Sequence, residues 1–151
     1  MVERFERFSF AILEIYRHWH KIAAEEMGTY GLKGAHATYL LAISRHEEGV
    51  TAPRLCELCG KDKSDVSRMV AILEEKGLVR KESVHQKGYG GRIKLTHAGE
   101  AAAEQVRRRA ALAVELAGKD LTEDKRQIFY EALEQIADNL RVISKEGLPE
   151  A

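Results

Sequence analysis

The sequence predicts a mainly α fold with a small two- or three-stranded β element, and three observations predict it. Apolar residues recur at three- and four-residue steps through most of the chain, which is the helical period. Only 2 prolines occur, Pro53 and Pro149, so long helices are unbroken. Only the stretch from Leu78 to Leu95 changes character, where short apolar and polar alternation brackets a run rich in glycine. At 151 residues, 44% hydrophobic and 32% charged, the chain suits one domain, or one domain with helical extensions.

The elements follow in order. Phe5, Phe8, Ile12, Ile15, Trp19 and Ile22 form one stripe of a first helix running to Met27. Phe10 and Leu13 lie off that stripe, so the helix is apolar on more than one side and is expected to meet a second partner besides its own core. Gly28, Gly31 and Gly34 open a loop. A second helix reads from His36 to about Glu48, with Tyr39, Leu40 and Ile43 inward and Gly49 ending it. Thr51 is placed to cap a short third helix, with Pro53 in its first turn and Leu55 and Leu58 buried. Gly60 supplies a turn and Asp62 caps a fourth helix with Val66, Met69, Val70 and Leu73 as its stripe, closed by Gly77. Strands are expected between Leu78 and Val84 and over Arg92–Leu95, joined by Lys87-Gly88-Tyr89-Gly90-Gly91 as a hairpin. Thr96 caps a long alanine-rich helix to about Ala117. Thr122 caps the last, with Glu123 and Asp124 in its first turn and a heptad-like stripe Phe129, Leu133, Ile136, Leu140, Ile143.

Charge narrows the function classes. The 24 basic and 24 acidic side chains cancel, which excludes binding to nucleic acid by bulk charge alone. The cancellation is local, however: residues 1–60 carry −1, residues 61–96 carry +4 and residues 97–151 carry −3. The basic excess therefore coincides with the fourth helix and the hairpin. No apolar run approaches the ~20 residues a spanning helix needs, so no membrane partner is expected. The start of the chain lacks a signal-peptide core. With 2 cysteines there is no disulfide framework, and a cytoplasmic location is the expectation.

The helix-turn-helix geometry makes a case for duplex DNA. A helix entering the major groove needs short polar side chains near its N-terminus and a basic side chain that reaches bases or phosphates. Lys63, Ser64, Asp65, Ser67 and Arg68 supply these on the faces not used by Val66, Met69 and Val70. Thr51 and Arg54, in the first turn of the third helix, are candidates for the phosphate backbone. The hairpin is a candidate for an adjacent minor groove, through Lys87, Arg92 and His85 or Gln86.

The run from Thr51 through Arg68, its continuation Leu73-Glu74-Glu75-Lys76-Gly77-Leu78-Val79-Arg80, and Leu95-Thr96 with Gly99 resemble the helix-turn-helix of MarR-family transcriptional regulators. The helix order matches over nearly the whole chain. The resemblance implies a winged helix-turn-helix with long flanking dimerisation helices. Residues 1–32 would be an N-terminal dimerisation helix, 33–96 the DNA-binding domain, and 97–151 the C-terminal dimerisation helices. It further implies a homodimer whose two subunits read a palindromic double-stranded operator, commonly as a repressor, and release by a small aromatic or phenolic ligand or by thiol oxidation. By carry-over, Ser64, Asp65, Ser67 and Arg68 fall on recognition-helix positions. The wing departs from the family pattern: an Asp followed closely by Arg residues is replaced by Lys87-Gly88-Tyr89-Gly90-Gly91.

Several features keep two readings. Tyr16, Trp19, His20, His36 and Tyr39 either line an aromatic effector pocket or pack as ordinary core. Cys56 and Cys59 form a C-x-x-C, read as structural thiols or as a thiol or metal sensor, and one such pair offers a metal only two ligands. Of the histidines, His18 and His20 face different sides of a helix, so no metal site is expected. Arg107-Arg108-Arg109 fans around a helix and reads as a solvated run more than as a patch. No cofactor motif and no catalytic spacing is present, so the chain is not expected to be an enzyme. The alternatives are a winged helix used for protein interaction without DNA binding, or a metal- or thiol-sensing regulator.

Overall fold

The computed structural model describes residues 1–83 and 91–149. The glycine-rich segment that the sequence reads as a hairpin connection, including Lys87 and the alternatives His85 and Gln86, lies outside these residues. Six helices and three strands are described: α1 (Val2–Gly28), α2 (Gly34–Ser44), β1 (Val50–Thr51), α3 (Ala52–Cys59), α4 (Lys63–Glu75), β2 (Val79–Glu82), β3 (Arg92–Leu95), α5 (His97–Ala117) and α6 (Glu123–Glu146). The fold is mainly α with a small antiparallel sheet, as the sequence predicts. The chain forms two compact units, Met1–Ala111 and Leu112–Ala151, divided inside α5.

In the first unit, α2 packs against α1, α3, α4 and β3. Its core holds Leu40, Ile43, Leu55, Val66, Val70, Leu73, Leu78, Val79, Ile93 and Val106, all buried. Each such side chain contributes roughly 1.5–3 kcal/mol relative to exposure. The helix boundaries are set by local chemistry. The Thr51 hydroxyl accepts the Arg54 N–H at 3.4 Å and the Asp62 carboxylate accepts the Asp65 N–H at 2.8 Å, satisfying donors that helix starts leave open. Gly60 ends α3 at φ +61°, a left-handed conformation that an L side chain adopts only at a cost, and so turns the chain directly into α4.

The sheet order is β1–β3–β2. Val50 pairs with Ile93, and Val79 with Leu95, so the hairpin is tied back to the entry of α3. The strand β1 is only two residues long and carries no periodic signal of its own, which is why the sequence left its existence open.

Three local expectations are corrected. Helix α2 starts at Gly34 and stops at Ser44, several residues short of Glu48. Its apolar positions end at Ile43, and a turn closed by Gly49 N–H to the His46 carbonyl at 2.8 Å carries the chain into β1. Gly34, expected in the loop, is the first residue of α2, where a side chain would press on the backbone of His20 and Ala24 in α1 at 3.2 Å. Leu58 is exposed, because the inward face of α3 runs from Leu55 to Cys59 at a four-residue step, with Cys56 beside it.

The outer helices leave large apolar side chains uncovered. On α1 only Met27 is buried, while Phe5, Phe10 and Leu13 are 66%, 68% and 61% exposed. In the second unit no residue of α6 is buried, and Ile128, Phe129, Leu140 and Val142 face outward. No described helix is long and apolar enough to cross a membrane.

Candidate nucleic-acid interface

The side chains singled out on α4 divide into two groups. Lys63, Ser64 and Ser67 are exposed. They make no side-chain hydrogen bond or ion pair among the described residues. Asp65 and Arg68 are engaged with each other, Arg68 Nη2 donating to Asp65 Oδ1 at 2.7 Å. The second oxygen of Asp65 accepts the Tyr39 hydroxyl from α2 at 2.6 Å. The Tyr39 hydroxyl, with the Arg68 guanidinium acting against partial burial, holds the Asp65 carboxyl below the usual range. Burial, and then the Asp65 carboxylate, push the Tyr39 phenol above its usual range. Asp65 is thus occupied on both oxygens, whereas the sequence treated it as one more polar side chain facing outward.

Around this helix, Arg54 pairs with Glu57 at 2.8 Å on the exposed side of α3, and Thr51 spends its hydroxyl on the cap. Arg92 donates to the Gly49 carbonyl at 3.3 Å and remains exposed. Arg80 and Lys94, cations the sequence reading did not single out, share Glu82 at 2.9 and 3.2 Å across the β2–β3 pair. Their cross-strand register, with Arg80 opposite Lys94, is the signal that would have found them.

A cavity of about 130 Å³ opens between α1, α2 and α5 of the first unit, lined by Tyr16, Trp19, His20, Thr38, Leu41 and Arg109 among others. Tyr16 and His20 meet edge to face with ring centroids 5.2 Å apart. Arg109 reaches the largely buried Glu26 at 3.6 Å. His36 and Tyr39, grouped with these aromatics by sequence, do not line it: both are buried, His36 with its Nδ1 against the Lys33 backbone and Tyr39 with its hydroxyl directed at α4. The Arg107-Arg108-Arg109 run is paired, Arg107 and Arg108 both reaching Glu104 and Arg107 also donating to the Ser44 hydroxyl at 2.6 Å. Cys56 and Cys59 are free and half-buried, and burial pushes the Cys59 thiol up. Among the described residues no group of three or more His, Cys, Asp or Glu is placed to hold a metal.

This arrangement of α3, turn, α4 and hairpin matches known proteins. Residues 30–87 match the family model described as MarR family. Over that segment the chain is similar to MarR-family proteins. Its fold over nearly the full length is that of a MarR family transcription regulator (TM-score 0.83, 16% identity, 97% of this chain and 96% of that chain). It is also that of a putative MarR family regulator from Listeria monocytogenes complexed with 26mer DNA (TM-score 0.77, 21% identity, 93% and 95% covered). A third similar structure is CouR from Rhodococcus jostii RHA1 bound to p-coumaroyl-CoA (TM-score 0.68, 19% identity, 95% of each chain). No curated protein matches the sequence.

Proposed function

We propose that this MarR-family winged helix is a transcriptional regulator that binds a palindromic operator in double-stranded DNA as a homodimer, acting as a repressor in the cytoplasm and not as an enzyme. The observation that carries the proposal is the outward face of α4, where Lys63, Ser64, Ser67 and Arg68 stand exposed on a helix capped by Asp62 and backed by a buried apolar stripe. In this reading Ser64, Ser67 and Arg68 approach base edges, with Asp65 orienting Arg68. Thr51, Arg54, Lys63, Lys87 and Arg92 serve the phosphates. The DNA-bound Listeria protein of the same fold supports the partner class.

Dimerisation is supported by the uncovered apolar side chains of α1 and α6, since exposed patches of this kind mark contact surfaces. Residues 1–32 and 97–151 act as the dimerisation segments and 33–96 as the DNA-binding domain. The cavity beside Trp19 is the seat of a small aromatic effector whose binding releases DNA, and CouR supports a ligand-binding role for this fold.

Selection of bound duplexes from a random library tests the proposal directly. An enriched palindrome is expected, with affinity falling steeply with salt, by roughly 10³–10⁵ between 50 and 200 mM if six to ten phosphates are contacted. A dimer that enriches no sequence and shows no salt-dependent binding overturns it in favour of a protein-interaction module.

A further inference from the structure

The Tyr39–Asp65–Arg68 chain links the buried core to an exposed cation on the outward face of α4. Tyr39 is 2% exposed, so its ring is fixed by packing in α2 and only its hydroxyl is directed at α4. Asp65 stands in the first turn of α4, its N–H held by the Asp62 cap at 2.8 Å. Its side chain is anchored by the hydroxyl at 2.6 Å on one oxygen and presents the other to Arg68 at 2.7 Å. The Arg68 side chain itself is 70% exposed. An exposed ion pair three residues apart on a helix holds a long side chain only weakly. Here one end of the pair is immobilised from inside the protein, so the arginine loses its freedom against a fixed point. Asp65 takes one of the two Nη2 hydrogens, which leaves the other Nη2 hydrogen to complete a two-donor fork with Nη1 or with Nε.

We propose that Tyr39 is a positioning residue for sequence readout: through Asp65 it fixes the plane of Arg68 so that the guanidinium fork meets a guanine edge in the major groove. This rests on the reading of α4 as the recognition helix. Bidentate recognition of guanine O6 and N7 depends on the orientation of the fork, whereas attraction to phosphate depends only on the charge. Loss of the Tyr39 hydroxyl therefore lowers discrimination between bases and leaves affinity for arbitrary DNA nearly intact.

The test uses the full-length protein, the duplex enriched by selection, a set carrying single changes at each half-site guanine, and a scrambled duplex. Tyr39→Phe keeps the ring and its packing, and thermal unfolding checks that it folds. At one guanine its penalty for a changed base is expected to shrink by roughly threefold to tenfold, the scale of one bidentate contact partly lost, with scrambled-duplex affinity within about twofold of wild type. Arg68→Ala should abolish discrimination at that same guanine, and Tyr39→Phe added to it should change nothing further. If Arg68→Ala alters neither affinity nor discrimination, the reading of α4 itself falls and the proposal with it. If Arg68→Ala removes discrimination while Tyr39→Phe keeps it at the wild-type level, the reading stands and the positioning role is overturned. A Tyr39→Phe protein that weakens equally on every duplex assigns Tyr39 a purely structural role and also overturns it.

Discussion

Gly99, in the first turn of α5, lies with its Cα against the backbone carbonyl of Leu78. A side-chain carbon there would overlap the Leu78 oxygen and stand 2.9 Å from its carbonyl carbon. Thr96 reinforces the same junction, its N–H donating to the Leu78 carbonyl at 3.0 Å and its hydroxyl donating to the Gly77 carbonyl at 2.6 Å while accepting the Gly99 N–H at 3.1 Å. The start of α5 is thereby fastened to the turn that follows α4. Alanine is favoured over glycine inside a helix by about 1 kcal/mol. Here the obstructing atom belongs to the backbone and is itself hydrogen-bonded, so the steric cost of about 1–3 kcal/mol or more should win. Gly99→Ala is expected to destabilise the protein in denaturant titrations at fixed protein concentration. A variant as stable as wild type would show that the two segments separate at no cost.

His36 sets a pH dependence. It is 4% exposed, its Nδ1 sits 3.0 Å from the Lys33 N–H, and its buried Nε2 finds no hydrogen-bond partner among the described residues. Burial lowers its pKa, with the Lys33 carbonyl and the Asp65 charge partly opposing and the Lys33 charge adding to the shift. The unfolded chain therefore takes up a proton near pH 6.5 while the folded one does not. Stability from this group is fully present above about pH 6.5 and is lost as pH falls through the lower folded value. Melting temperatures should drop between pH 7.5 and 5.5 in the wild type, and the slope should flatten in His36→Asn. The carboxylates Asp65 and Glu104, held low by Tyr39 and by Arg108 respectively as leading causes, act only at more acidic pH by the same sign rule. Parallel slopes in the two proteins would remove His36 from the account.

The parts of this fold that were legible in the sequence are those governed by short-range chemistry. Thr51, Asp62 and Thr122 each announce a helix start because a side-chain oxygen reaches an N–H three residues on, and each does so in the structure. The stripe Val66, Met69, Val70, Leu73 was readable because the other faces of α4 are polar. Helix α2 shows the opposite case. From Tyr39 to Ile43 it is apolar all round, so although Tyr39, Leu40 and Ile43 read as inward and are buried, periodicity could not say that Ala37, Thr38 and Leu41, and not His36 or Tyr39, line the cavity. The Tyr39–Asp65 bond joins residues 26 apart on different helices, and no local pattern encodes it. The Arg68–Asp65 pair, three residues apart on one helix, was within reach of sequence reasoning.

The C-x-x-C on α3 is expected to be chemically quiet. Cys59 packs against the core, and burial, followed by the neighbouring Cys56 and Asp65, raises its thiol above the usual range, which depletes the thiolate that reacts. Alkylation of Cys59 by iodoacetamide at pH 8 should run at least about tenfold slower than that of a free cysteine peptide, given how reactivity follows thiolate fraction and access. The Cys56→Ser/Cys59→Ser protein should bind its selected duplex as the wild type does, before and after peroxide. Peroxide-dependent loss of binding in the wild type alone would restore a thiol-sensing role.

The apolar face of α1 yields a prediction that separates assembly from DNA reading. Phe10 and Leu13 lie off the stripe formed by Phe5, Phe8 and Ile12 and are 68% and 61% exposed in the single chain. If the proposed homodimer buries them, each contributes roughly 1.5–3 kcal/mol per subunit, and placing a carboxylate there adds an unpaired charge. Phe10→Glu/Leu13→Glu should therefore weaken dimerisation by at least about a hundredfold, at 1.4 kcal/mol per factor of ten. Sedimentation velocity across a dilution series reads this shift as monomer appearing at concentrations where the wild type stays paired. Leu58→Glu is the matched control. It removes an apolar side chain that is also exposed, 39%, but sits on α3 within the winged helix. That variant should leave the sedimentation profile unchanged, so a similar loss of pairing in both proteins would place the contact surface elsewhere than on α1.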